Sequence, residues 1–398
     1  MHSFFARRTS WNLTTNRYSE ALEAHRRAGR ELLDLTASNP TKIGLRYRED
    51  ELLRALSNRD ALHYDPQPKG LLAAREAIVA YYAAHAAKIS PDDIILTTST
   101  SEAYSFLFRL LCDPGDAVLV PTPSYPLFDF LADIQDVKLF PYELVHDHGW
   151  QMEVMSLFNA IDRAEAAGAP CRAILAVHPN NPTGSYLKPR ELDLLNNVCA
   201  ENDMAIIADE VFLDYSLAVQ SPLTFAANHD ALTFTLSGLS KIAGLPQMKI
   251  AWIAASGPPT LKHAALGRLE VIADTYLSMN APIQLALAAM LDERKTIQPQ
   301  LVERVRTNLA ELDAQLSGQK LCHRLQVEGG WYAIVRVPAR GSDEDLAIAL
   351  LEQENVLIQP GHFYDFAADG HLVVSLITPV ADFAEGMKRL LAFVAAAQ

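Results

Sequence analysis

Met204-Ala-Ile-Ile-Ala208-Asp209-Glu210 is a run of five apolar residues closed by two carboxylates. An apolar run without alternation reads as a strand buried on both faces, the mark of a parallel sheet covered by helices. The same kind of run appears upstream at Ile94–Thr97, Ala117–Val120, Val137–Tyr142 and Ala173–Val177, and downstream at Leu232–Leu236. Helical patterns fill most of the gaps, as at Ser101–Cys112, Met152–Ala167 and Pro189–Asn202. Strands alternating with helices predict an α/β fold: a large domain with a mostly parallel sheet covered by helices. The pattern then changes. Pro282–Ser317 reads as a long amphipathic helix, interrupted near Glu293–Lys295. Strands at Arg324–Val327 and Trp331–Val337, a helix at Ser342–Gln353, a strand at Leu372–Leu376 and a helix at Pro379–Ala397 follow, predicting a smaller α+β domain. The opening residues hold a helix (Arg17–Gly29) and a short strand (Leu32–Leu35), too little for a core of their own. The expected division is an arm over 1–45 packing on the small domain or a partner subunit, a large domain over 46–285 and a small domain over 286–398.

Composition narrows the function classes. Of the 398 residues 49% are hydrophobic and 21% charged, which excludes disordered and collagen-like chains. With 48 acidic against 34 basic side chains the formal charge is −14, and the close basic pairs Arg7-Arg8 and Arg26-Arg27 make no face for nucleic acid. Cys112, Cys171, Cys199 and Cys322 lie far apart, so no zinc site or disulfide framework is expected. No apolar run approaches the roughly 18 residues of a membrane span, and the start lacks a signal peptide's apolar core. The expected compartment is the cytoplasm.

In parallel sheets the ligand sits beyond the carboxyl ends of the strands. G-x-G-x-x-G, G-x-x-x-x-G-K-[ST], H-E-x-x-H and G-x-S-x-G are absent, which removes the main support for dinucleotide oxidoreductases, P-loop NTPases, zincins and serine hydrolases. Four strand exits remain. Thr97-Thr-Ser-Thr-Ser101 enters a helix, either as an N-cap cluster or as an anion cradle for a phosphate. His178-Pro-Asn-Asn181-Pro-Thr-Gly184 is a turn richer in Asn and Pro than a turn needs. Asp209 ends a buried strand, where it is a helix cap or a carboxylate with a partner. Lys241, in Ser237-Gly-Leu-Ser240-Lys241, is a solvated surface amine or a desolvated one with a lowered pKa, able to form an imine. A phosphate cradle, a buried carboxylate and a strand-end lysine are together what pyridoxal phosphate requires. Tyr125, in Pro123-Ser-Tyr-Pro126, is placed to cover the ring face.

With those motifs in this order, the chain resembles the fold-type I pyridoxal-phosphate aminotransferases, the class I/II group that includes aspartate and aromatic aminotransferases, from about Leu33 to the C-terminus. The resemblance implies pyridoxal 5'-phosphate held at Lys241, which would also move the proton at the substrate Cα. Asp209 would pair with the pyridinium nitrogen, Asn181 would bond the ring O3′ and Tyr125 would stack on the ring. Thr98, Ser99, Thr100 and Ser240 would hold the phosphate. Tyr64, in Leu62-His-Tyr-Asp-Pro66, would reach the neighbouring subunit's phosphate, which implies a homodimer.

Four positions depart from the family pattern. Ser99 stands where the phosphate turn often has Gly, a strain if that turn needs a positive φ. Phe212 replaces a Tyr that donates to O3′, and Tyr215 does not obviously take its place; losing the donor would raise the imine pKa. Lys249 replaces the phosphate-binding Arg, keeping charge and losing the fork. Val373 stands where Arg grips the substrate carboxylate. The expected remedy is a relocated anchor with a largely apolar or aromatic substrate, drawn from Arg17, Lys42, Arg46 or Arg336, or from Ser38 and Asn39. The leading activity is amino transfer between an amino compound and a 2-oxo acid. A lyase, decarboxylase or synthase of the same fold is the nearest rival, and a non-catalytic cofactor-binding regulator a further one.

Overall fold

A computed structural model describes residues 4–126, 128–217 and 222–396. The first three residues of the expected arm and Ala397 of the expected last helix lie outside them. Ala205–Asp209 is a central strand of an eight-stranded sheet. In spatial order its strands are Ile94–Thr97, Ala251–Ser256, Thr233–Gly238, Ala205–Asp209, Cys171–Val177, Ala117–Thr122, Lys138–His146 and Trp150–Met152. The five from Thr233–Gly238 to Lys138–His146 pair in parallel.

The unbroken apolar run is explained by two separate cores. Ala205 and Ile207 pack on one face, among residues that include Phe106, Leu107 and Leu269 of two covering helices, Thr100–Leu111 and Pro259–Tyr276. Ile206 and Ala208 pack on the other, with Leu157 and Leu195 of Val154–Ala166 and Pro189–Glu201. One strand missing from the expectation is Ala251–Ser256. It is apolar like its neighbours, but the chain returns to it within the same edge of the sheet, so it runs antiparallel to both.

The smaller domain carries a four-stranded antiparallel sheet in the order His323–Arg324, Tyr332–Arg336, His371–Ser375, Gln359–Pro360. The expected Arg324–Val327 strand is shorter and earlier, at His323–Arg324; Leu325 still donates to Ile334 O at 2.9 Å, and Gln326 gives its outward N–H to the His146 ring. The N-terminal arm lies on this domain. Its Leu33–Asp34 strand pairs with Val356–Leu357, and Tyr18 donates from its hydroxyl to Ile358 O at 2.8 Å.

The expected boundary at 285/286 falls inside a helix, Ala281–Asp292. That helix buries Leu287 and Met290 against Ile78, Tyr82 and Trp252 of the large domain. That helix breaks from the next one at Glu293, inside the interruption expected near Glu293–Lys295, and the Glu293 carboxylate is inaccessible to solvent. It accepts from the Arg48 backbone N–H at 3.0 Å and from Arg48 Nε at 2.7 Å. A buried carboxylate stripped of its guanidinium destabilises a protein by about 3 kcal/mol or more. Arg48→Met is therefore expected to lower the thermal midpoint by several degrees in calorimetry, whereas Arg8→Met, which removes an exposed pair with Asp136, leaves it nearly unchanged.

Candidate active site

Register levels the strand ends. Val177 pairs with Asp209 and Asp209 with Leu236, while Thr97 pairs with Ala251 and Ala251 with Gly238. Gly238 is needed for that closeness, since a Cβ there would lie 2.8 Å from the Ala251 Cβ. The loops leaving these ends, with one loop of the smaller domain, enclose a cleft of about 690 Å³.

Two ionisable groups dominate its floor. Burial pushes the Asp209 carboxyl above its usual range, and three favourable contacts oppose that push. Val211 donates its N–H at 3.1 Å, Tyr104 donates its hydroxyl at 2.9 Å, and the Lys241 charge lies nearby. Burial acts oppositely on Lys241, bringing its amine down to about 8 although Asp209 favours the charged form. Lys241 Nζ sits 4.8 Å from the Trp331 ring centre and 5.4 Å from that of Phe212.

The turn bearing Lys241, a short helix over Leu239–Ile242, is held by its main-chain carbonyls. Tyr215 donates to Lys241 O at 2.5 Å, Gln298 Nε2 to Ile242 O at 2.9 Å and Tyr47 to Gly244 O at 2.7 Å. Gln298 is itself oriented by Asp214, which accepts from the same Nε2 at 2.8 Å and from Tyr81 at 3.2 Å. Tyr215 is thus committed to the backbone and does not replace the hydroxyl missing at Phe212.

Ser99, Thr100, Tyr125, Asn181, Asp209, Ser240, Lys241, Lys249 and Ser38 all line the cleft, and Ser101 joins them. Thr98 does not, because its N–H and hydroxyl both donate to Glu102, at 2.7 and 3.1 Å. Ser99 has an extended backbone, φ −163°, and caps the helix by accepting from Glu102 N, so the feared positive φ does not arise. The left-handed conformation falls instead on Lys249, φ 50°. Tyr64 is 85% exposed and borders a separate hollow of about 270 Å³. Asn39 is turned away, its Oδ1 accepting from Thr41 N and Oγ1. Val373 is fully buried in the small-domain core. Arg17 pairs with Asp345 at 2.7 Å, and neither it nor Lys42, Arg46 or Arg336 borders the cleft. Sequence reasoning passed over Tyr104, Trp331, Tyr332, Gln359 and Tyr364. Tyr104 meets Asp209 across 105 positions, and each of the five looks like an ordinary core aromatic or strand residue locally.

A family model for aminotransferase class I and II matches residues 12–389. The chain belongs to the class I and II aminotransferases. Among curated relatives of this aminotransferase, a glutamate-pyruvate aminotransferase of Haemophilus influenzae is 28% identical over 92% of this chain and 91% of its own. An alanine aminotransferase of Mycobacterium bovis is 26% identical over 94% and 87%. Among solved structures, an alanine aminotransferase from Pyrococcus furiosus superposes with TM-score 0.87 at 21% identity, covering 98% of this chain and 100% of that one. The chain is a pyridoxal-phosphate-dependent transaminase that moves an amino group between an amino acid and a 2-oxo acid. The cleft fits that cofactor: a buried amine with a lowered pKa lies near a buried carboxylate, and Asn181 Oδ1 is buried in the wall with no hydrogen-bond partner among the described residues.

The lowered Lys241 pKa has a measurable consequence. Between about 8 and the ordinary 10.5 the unfolded chain binds more protons than the folded one, so this group's penalty is complete below 8 and fades as pH rises to 10.5. In cofactor-stripped protein, Lys241→Met is expected to be more stable than wild type at pH 7, by up to about 3 kcal/mol, with the gap closing towards pH 10.5 in urea titrations. A gap that stays constant with pH would place the amine in solvent.

Proposed function

We propose that this aminotransferase takes its amino group from an α-amino acid with an uncharged, small or aromatic side chain. The observation that carries this reading is the charge inventory of the cleft. Its basic lining residues are Lys241, Lys249 and His362, its acidic ones Asp209 and Asp365, and no arginine is among them. In this reading Lys241, Asp209 and Lys249 serve the cofactor. That leaves Asp365 to repel an acidic side chain, while Tyr332, Phe363 and Tyr364 accept an apolar one. The Mycobacterium bovis relative, named for alanine, agrees with a small neutral donor; the Haemophilus influenzae relative is named for glutamate and pyruvate.

Residue roles in the proposal follow the lining. Lys241 holds the cofactor and moves the proton at the substrate Cα; Asp209, backed by Tyr104, keeps the ring nitrogen protonated. Asn181 bonds the ring hydroxyl, and Tyr125 covers the ring. Ser99, Thr100, Ser101, Ser240 and Lys249 hold the phosphate. Bound there, pyridoxal phosphate supplies the electron sink that makes the Cα proton labile. In a donor screen, alanine and phenylalanine are expected to exceed aspartate in kcat/KM by at least tenfold; a preference for aspartate would sink the neutral-donor reading.

A homodimer belongs to the same proposal. Tyr64, 85% exposed, lines a hollow with Leu71, Leu277 and Met279, and Leu62, 87% exposed, lies two residues before it in the chain; apolar surface of this kind is what two chains bury between them. A second copy covering it would bring Tyr64 towards its phosphate groups. Sedimentation velocity is expected to give the mass of two chains, and Leu62→Glu with Tyr64→Glu to shift it towards one. The proposed compartment is the cytoplasm: the four cysteines are unpaired, and among the described residues no helix is long and apolar enough to cross a membrane.

A further inference from the structure

The position where the family keeps its carboxylate-gripping arginine is closed in this chain. Val373 is buried in the His371–Ser375 strand and takes no part in the cleft wall. Its antiparallel partner on the edge strand is Gln359. Residues directly opposite in such a pair project from the same face, with Cβ atoms roughly 4.5–5.5 Å apart. Gln359 therefore stands on the face from which a side chain at 373 rises, one strand nearer the sheet edge, and it does line the cleft. Its amide is already oriented. The Tyr364 hydroxyl donates to Gln359 Oε1, and Tyr364 is itself buried. The Nε2 end has no hydrogen-bond partner among the described residues, in a side chain that is half-buried.

We infer that Gln359 is the specificity-determining anchor of the substrate α-carboxylate, its Nε2 donating where a guanidinium is missing. This deepens the neutral-donor reading above and rests on it. A neutral amide offers a carboxylate one donated hydrogen bond and no net charge. Arginine offers two parallel charge-assisted bonds. The grip is correspondingly weaker, and the neighbouring aromatics Tyr332 and Phe363 make up affinity through the donor's side chain. His362 is the other candidate in the same loop. It is exposed, and its ring meets Phe363 edge-on at 4.6 Å with no hydrogen bond orienting it among the described residues, whereas Tyr364 fixes Gln359.

The test uses the holoenzyme and a matched ligand pair with and without the carboxylate: 3-phenylpropionate and 3-phenylpropanamide, by calorimetry. Gln359→Glu sets a carboxylate against a carboxylate and is expected to weaken the acid at least thirtyfold, with the amide within threefold. Gln359→Leu is expected to weaken the acid about tenfold and to raise KM for phenylalanine by the same factor, with kcat within threefold. Tyr364→Phe frees the Gln359 amide and is expected to fall between wild type and Gln359→Leu. Equal weakening of both ligands by Gln359→Glu would overturn the inference, as would an acid-selective loss in His362→Ala that the Gln359 variants lack. Wild-type preference for aspartate defeats only the neutral-donor reading, because the acid-against-amide comparison is read from binding.

Discussion

An amine and a carboxylate buried together beyond the ends of two neighbouring strands, Thr233–Gly238 and Ala205–Asp209, set the terms for the rest of this molecule. Burial alone would neutralise both, driving Asp209 up and Lys241 down. The fold keeps the pair usable by surrounding Asp209 with donors. Tyr104 reaches it from the Thr100–Leu111 helix, which packs where it does because the strand offers Ala205 and Ile207 to that side. Val211 reaches it from the loop that follows. The sheet buried on both faces and the polar pair at its edge are thus one arrangement, since the dry strand end that makes the pair costly also makes its charges act strongly.

The cleft has two chemically distinct walls. Large-domain strand ends contribute hydroxyls, an amide and charge: Ser99, Thr100, Asn181, Asp209, Ser240, Lys241 and Lys249. The small-domain loop contributes aromatic rings, the Gln359 amide, exposed His362 and Asp365, which burial raises above its usual range. The departures from the family pattern at Phe212 and Val373 each replace a polar group with an apolar one, the first beside the cofactor's ring hydroxyl and the second beside the substrate carboxylate. Both residues are now apolar core, Phe212 packing 5.1 Å from Trp331 and Val373 lying wholly inside.

What was legible in the sequence was local. A five-residue apolar run, a carboxylate at its end and a lysine after two small residues each announce themselves within a few positions, and their order along the chain pointed to the family. Direction was not legible: Ala251–Ser256 has the composition of its parallel neighbours, and only the return along the same sheet edge makes it antiparallel. Competition for hydrogen bonds was not legible either. Thr98 sits in a hydroxyl-rich stretch that reads as one cradle, yet Glu102, four residues on, takes both its donors. Tyr104 and Asp209 are 105 residues apart, and no local pattern marks a helix tyrosine as the one that reaches a given carboxylate. The helix Ala281–Asp292, which runs across the expected boundary at 285/286, packs one face backwards onto the larger core, and no local pattern marks that contact.

The three bonds to the carbonyls of Lys241, Ile242 and Gly244 gear the lysine to parts of the chain that lie far apart. Gln298 belongs to Arg294–Ser317, the first helix beyond the Glu293 break, and sits just over one turn past it. Gln298 thereby ties Ile242 to the helix that begins the smaller domain. Tyr47 holds Gly244 from the segment whose Arg48 grips Glu293. Asp209, by contrast, is rooted in the middle of the sheet. The position of the amine relative to the carboxylate is therefore held from both sides of the Glu293 break, through the backbone beneath the lysine.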